Sequence, residues 1–151
     1  ETREVVPVRR YLVVANQTLA SEPLLATIRR LHRSGPTAFH LVVPITPPRD
    51  HVWTEGEARA VAAERLDAAL ERLTELGIEA DGEVGDVSPM LAIEDAMRDD
   101  GPYEAIVLST LPPGLSRWLK LDLPHRVESA FGLEVFHVVG QREPAHMRRA
   151  V

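Results

Sequence analysis

The stretch VLSTLPPGLSRWLKLDLPHRV, residues 107–127, holds the residue types that could cradle a phosphate. An apolar run ends in Ser109 and Thr110, a turn contains Gly114, and a helix can start near residue 122. Phosphate binding in such a layout relies on free backbone N–H groups and on the positive end of a helix dipole. The side chains here compete for both. Asp122 is a strong N-cap residue, so its carboxylate is expected to accept the N–H bonds that a phosphate would take, and to repel the phosphate by charge. Pro124 removes a further donor, and Leu121 puts a side chain where close backbone approach favours glycine. The segment keeps the outline of a phosphate loop without its resources. The opposing consideration is the set Arg117, Lys120, His125 and Arg126, because cationic side chains hold phosphates without a glycine loop. Helical spacing puts Arg117 and Lys120 on a solvated face.

Other chemistry-bearing residues give no catalytic set. Ser109 stands at the end of a strand-like run but lacks the Gly-x-Ser-x-Gly elbow that exposes a nucleophile, so it reads as a turn or strand-end hydroxyl. The six histidines (His32, His40, His51, His125, His137, His146) contain no His-x-x-x-His or His-Glu-x-x-His pair, and no metal site is expected. His40 and His137 fall in strand-like runs, where an imidazole bonded within the structure or facing a partner is commoner than a general base. Asp81, Glu83 and Asp86 alternate as the solvent face of an edge strand would. Trp53 reads as a lid over a crevice or as an anchor for a long loop. Trp118, with Leu115 and Leu119, is expected to fill the space that a nucleotide would otherwise occupy.

Composition narrows the function classes. The 151 residues suit one domain with a real core. With 17 Lys+Arg against 23 Asp+Glu the net charge is −6, and no basic run is interleaved with aromatics, so nucleic acid and anionic membranes are not expected partners. The absence of cysteine removes disulfides, thiol nucleophiles and thiolate zinc sites, and fits a cytoplasmic location. No apolar run reaches the length of a membrane span. The opening ETREVVPVRR has no apolar segment of the signal-peptide kind. Residues 1–9 read as a lead-in arm, 10–140 as the domain and 141–151 as a polar tail.

Short apolar runs alternate with longer amphipathic stretches, the pattern of βα units. Residues 11–15 (YLVVA) predict a first strand. The helix after it has Ser21 as a cap, Pro23 in its first turn, Leu24, Ile28 and Leu31 on one face, and Gly35 at its end. Residues 38–44 (AFHLVVP) predict a second strand, and the Pro-rich connection ITPPRDHVWTEGE leads to a long helix over 57–76. There Val61, Leu66, Leu70, Leu73 and Leu76 face inward and Gly77 gives a left-handed exit. IEADGEVGD is the weakest strand by propensity and belongs at a sheet edge. Ser88 and Pro89 open a helix over 89–100 with Met90, Ile93 and Met97 inward, ended by Gly101-Pro102. Residues 104–110 and 133–140 predict the last two strands.

Five strands joined by helices require a parallel sheet covered on both faces, an open doubly wound α/β sandwich. If its order is 3-2-1-4-5, a crevice lies beyond the carboxyl ends of the first and fourth strands, where the winding reverses. Asn16 and residues 109–114 would line it.

The segments YLVVANQT, HLVVP, GDVSP, IVLST and GLSRWLKLDLPHRV resemble those of universal stress proteins, in the same order and over nearly the whole chain. The resemblance implies the 3-2-1-4-5 sheet, homodimerisation through the last strand and, in a subset of members, ATP in the crevice. Nucleotide-binding members carry an Asp after the first strand and a Gly-x-x-Gly-x9-Gly-Ser/Thr run after the fourth. Here Asn16 replaces the Asp, residues 109–112 occupy the ground of the first glycines, and only Gly114 survives in the turn. Anchored on LSRWL and RV, the closing pair falls on Leu121 and Asp122, with the register before Leu115 one residue short. The candidate crevice set is Ala15, Asn16, Val43, Ser109, Thr110, Gly114 and Asp122. The candidate dimer strand is Val135, Phe136, His137, Val138 and Val139. The leading expectation is a dimeric universal stress protein-like domain that acts in stress response or regulation by interaction with an unknown protein partner, without catalysis, metal or tight ATP binding. The alternatives are an adenine-nucleotide sensor or slow ATPase using Asn16, Val43, Gly114 and nearby cations, and an accessory domain of a larger protein.

Overall fold

The sheet is built around three strands whose sequences are apolar almost throughout, as strands buried on both faces must be. In the computed structural model, which describes residues 6–47 and 52–141, these are β1 (Arg9–Val14), β2 (Thr37–Pro44) and β4 (Ala105–Thr110). The more polar β3 (Ala80–Gly85) and the shorter β5 (Val135–Val139) take the two edges. All pairings are parallel and the order is β3-β2-β1-β4-β5, the expected one. Residues 1–5, 48–51 and 142–151 lie outside the described set, and with them His51, His146, part of the Pro-rich connection, most of the expected lead-in arm and nearly all of the expected tail.

Two cores follow from the winding. Helices α1 (Glu22–Arg33) and α2 (Glu55–Glu75) cover one face, where Leu24, Ile28, Leu66 and Leu73 pack on Val13, Leu41 and Val107. Helices α3 (Pro89–Asp100) and α5 (Leu123–Phe131) cover the other, with Ile93, Ala96, Leu123 and Val127 on Leu12, Val42, Ile106 and Leu108. A single turn, α4 (Arg117–Lys120), lies between β4 and α5. The chain leaves β1 toward one face and β4 toward the other, so the switch point falls between these neighbours.

Helix starts follow their caps unevenly. Ser88 accepts from Leu91 N–H at 3.3 Å, as expected. Ser21 precedes α1 but its hydroxyl caps nothing, because Pro23 removes one N–H it could have received; the oxygen is instead turned toward Gly140. On α2, Val61 is exposed rather than inward, and Ala58 and Ala62 take the core positions beside Leu66 and Leu73. The helix lies too close to the sheet for larger groups. A Cβ at Gly82 would stand 2.7 Å from Leu66 Cδ1 and 2.6 Å from the Leu41 carbonyl oxygen. Gly85 allows the same approach on the opposite face, where its Cβ would meet that of Ala92 at 2.7 Å.

Candidate functional site

The switch point brings Ala15, Asn16, Val43, Ser109 and Thr110 together at the carboxyl ends of β1, β2 and β4, all of them buried. Their polar groups are spent on neighbouring side chains and backbone. Asn16, 4% exposed, donates from Nδ2 to the Pro44 carbonyl at 2.6 Å and accepts at Oδ1 from the Arg65 guanidinium. Ser109 Oγ and Thr18 Oγ1 share a hydrogen bond of 2.5 Å. Thr110 Oγ1 donates to the Leu111 carbonyl at 3.0 Å and lies 2.8 Å from His137 Nε2. The hydroxyl has one proton, so the second contact is an Nε2–H donation from the imidazole. Burial depresses the His137 pKa, which keeps that ring neutral and suits it to this role. Backbone groups follow suit, with Gly140 N–H on the Thr110 carbonyl at 2.8 Å.

The turn beyond β4 departs from expectation. Asp122 is not an N-cap in the hydrogen-bonding sense: at φ 55° and ψ 39° it is left-handed, and its carboxylate caps no N–H. An N-cap side chain reaches the first turn from an extended backbone, and a left-handed one aims it elsewhere. Here it meets His125 Nδ1 at 3.3 Å on the exposed surface. The backbone position that favours glycine is therefore Asp122, whereas Leu121, at φ −88°, has a negative φ that does not call for glycine. Gly114, at φ 90°, is the glycine the turn requires. Trp118 packs against the second core, but Leu115 is 53% exposed and fills no crevice. Trp53 is half-buried ahead of Thr54, which caps α2.

No protein-family model and no curated protein matches the sequence. Among solved structures, a protein from the universal stress protein family from Burkholderia pseudomallei superposes with a TM-score of 0.60 at 17% identity, over 85% of this chain and 93% of that one. The fold is that of a universal stress protein. Among the described residues no helix is long and apolar enough to cross a membrane, and no cluster of three or more His, Asp or Glu is arranged to hold a metal.

Away from the crevice of this universal stress protein fold, a second polar cluster went unread in the sequence. The β2–β3 register sets His40 opposite Asp81, and the ring is held by Asp81 at 2.7 Å through Nδ1 and by Glu83 at 2.9 Å through Nε2. Asp100, at the end of α3, lies 3.6 Å from the same Nδ1, accepts from the Tyr103 hydroxyl at 2.5 Å and pairs with Arg10, whose guanidinium covers the Tyr103 ring. Asp81 and Glu83 thus do more than solvate an edge. The available signal was their two-residue spacing beside a strand that contains a histidine.

Burial alone would lower the His40 pKa, but the bonds to Asp81 and Glu83 and the Asp81 and Asp100 charges outweigh it, and the pKa is raised above 6.5. A histidine raised in the folded state adds stability that is fully present below its unfolded value and lost as pH climbs through the folded one. Urea midpoints should therefore fall across neutral to mildly alkaline pH, and His40→Gln should flatten that slope. An unchanged slope in the variant would show that the cluster does not set it. Burial opposes ionisation of Asp100 as well, yet Tyr103, Arg10 and His40 hold its pKa below the ordinary value, while Tyr103 is pushed up, chiefly by burial.

Proposed function

We propose that this chain acts by association, as a universal stress protein-like dimer in stress response or its regulation, without catalysis or tight ATP binding. The observation that carries the reading is the hydrogen bonding at the switch point. Asn16, Thr18, Ser109, Thr110 and His137, which could have addressed a nucleotide, are committed to one another, to Arg65 and to backbone. Recruiting them to a ligand would break buried hydrogen bonds, each of which costs about 1–3 kcal/mol when its partner is left unsatisfied.

Dimerisation is supported by the position of β5. It is outermost in the sheet, with one side paired to β4 and His137 and Val139 exposed, while Val135, Phe136 and Val138 pack inward. An open strand edge favours pairing with another strand, and a two-fold copy would add β5 antiparallel to itself.

Two measurements test the reading. Calorimetric titration with ATP, with and without Mg²⁺, is expected to show no binding at micromolar concentration. Micromolar affinity would overturn it in favour of an adenine-nucleotide sensor or slow ATPase that uses Asn16, Val43 and Gly114 with nearby cationic side chains. Sedimentation at tens of micromolar protein is expected to give a dimer that Val139→Lys weakens. A monomeric unaltered chain would remove the association part.

A further inference from the structure

Between α1 and α2 lies a cavity of about 230 Å³, floored by Leu41 of β2. Its α1 wall includes Leu24, Leu25 and Ile28. Its α2 wall includes Arg65, Ala68, Ala69, Arg72 and Leu73, positions i, i+3, i+4, i+7 and i+8 of one helical face. On the α2 side Ala68 and Ala69 line it with small side chains. Apolar walls without packing partners forgo dispersion contacts and repel water, so an apolar occupant gains from both.

We propose that this groove binds a small apolar carboxylate, its hydrocarbon body between α1 and α2 and its charged head at Arg72. The class follows from the cavity and its lining. The volume is below the roughly 300 Å³ at which pockets for drug-sized ligands begin, so the occupant is smaller than a nucleotide. Arg72 is exposed at the rim and makes no side-chain hydrogen bond or ion pair among the described residues, so an anion needs to displace nothing from it. Arg65 adds positive charge from inside while bonded to Asn16. Gln17 also lines the cavity with its Oε1 buried and unpartnered, an acceptor that offers a carboxylate nothing and so favours placing the head elsewhere. Glu22, at the α1 end, repels a carboxylate and directs its head to the α2 side. The site is separate from the association reading, and either can fail alone.

The test is a calorimetric and methyl-NMR titration of the unaltered protein with octanoate, octan-1-ol and octylamine. Octanoate is expected to bind most tightly, shifting the methyl signals of Leu24 and Ile28. Arg72→Gln should weaken octanoate by about three- to tenfold while leaving octan-1-ol unchanged. Ala69→Leu, which fills the cavity from an apolar position, should abolish binding of both. The proposal is overturned if octanoate does not bind at millimolar concentration, if octan-1-ol or octylamine binds as tightly, or if Arg72→Gln leaves octanoate affinity intact. Should Ala69→Leu fail to fold, the Arg72→Gln comparison decides the question by itself.

Discussion

Leu123→Ala will lower the free energy of unfolding by about 2–5 kcal/mol, read as a fall in Tm of roughly 5–20 °C for a chain of this size. Leu123 is the first residue of α5 and is 1% exposed, packed in the core that joins α3 and α5 to Leu12, Val42 and Ile106. Truncation removes its methyl groups from that core and leaves a void that a helix start pinned by Pro124 cannot close. The neighbouring position should respond with the opposite sign. Asp122→Gly relieves a left-handed backbone at an exposed site and should raise stability by up to about 1 kcal/mol. Both are measured by urea denaturation. A destabilising Asp122→Gly would mean that the contact with His125 outweighs the backbone cost.

That pair of positions also marks where sequence reasoning ran out. The central strands were legible because a parallel strand buried on both faces needs a continuous apolar run, and residues 11–15, 38–44 and 104–110 supply one each. The helix over 89–100 was legible to the residue because Ser88, Pro89 and Gly101 bracket it. Asp122 was misread because residue type gives capping preference, whereas its actual role depends on a φ that α4 and α5 impose together. Val61 was placed inward because the apolar stripe of α2 was drawn through its larger residues. The core-facing stripe uses Ala58 and Ala62, since Gly82 brings β3 against the helix.

The His40 cluster was illegible for a different reason. Its members come from β1, β2, β3 and the end of α3 with the connection after it, and the parallel register that sets His40 beside Asp81 is fixed across the long α2 crossover rather than by a local turn. The groove between α1 and α2 is harder still to read, since it consists of volume that Ala68 and Ala69 leave unfilled. By contrast, strand ends and winding direction are enough to place Ala15, Asn16, Val43, Ser109 and Thr110 near one another, while Gly114 and Asp122 lie in the exposed turn beyond. What the sequence did not reveal is how they spend their hydrogen bonds.

Asn16→Asp, the change that introduces the carboxylate which the resemblance to nucleotide-binding universal stress proteins implies at this position, is expected to cost about 1–3 kcal/mol and to confer no ATP affinity by itself. The Asn16 Nδ2 donor to the Pro44 carbonyl would be replaced by an acceptor, setting two oxygens against each other at a site that is 4% exposed. Arg65 can offset the new charge at the other oxygen but cannot supply the missing donor. Protonation would supply it, because a neutral carboxyl donates to a carbonyl. Burial against that carbonyl raises the introduced group's folded pKa, so the deficit should be full near neutral pH and shrink as pH falls through that value. Asn16→Ala, which also loses the donor but cannot titrate, should be destabilised without this recovery. If Asn16→Asp is instead as stable as the unaltered protein throughout, water reaches the introduced carboxylate, the switch point is open, and the closed-crevice argument against nucleotide binding falls with it.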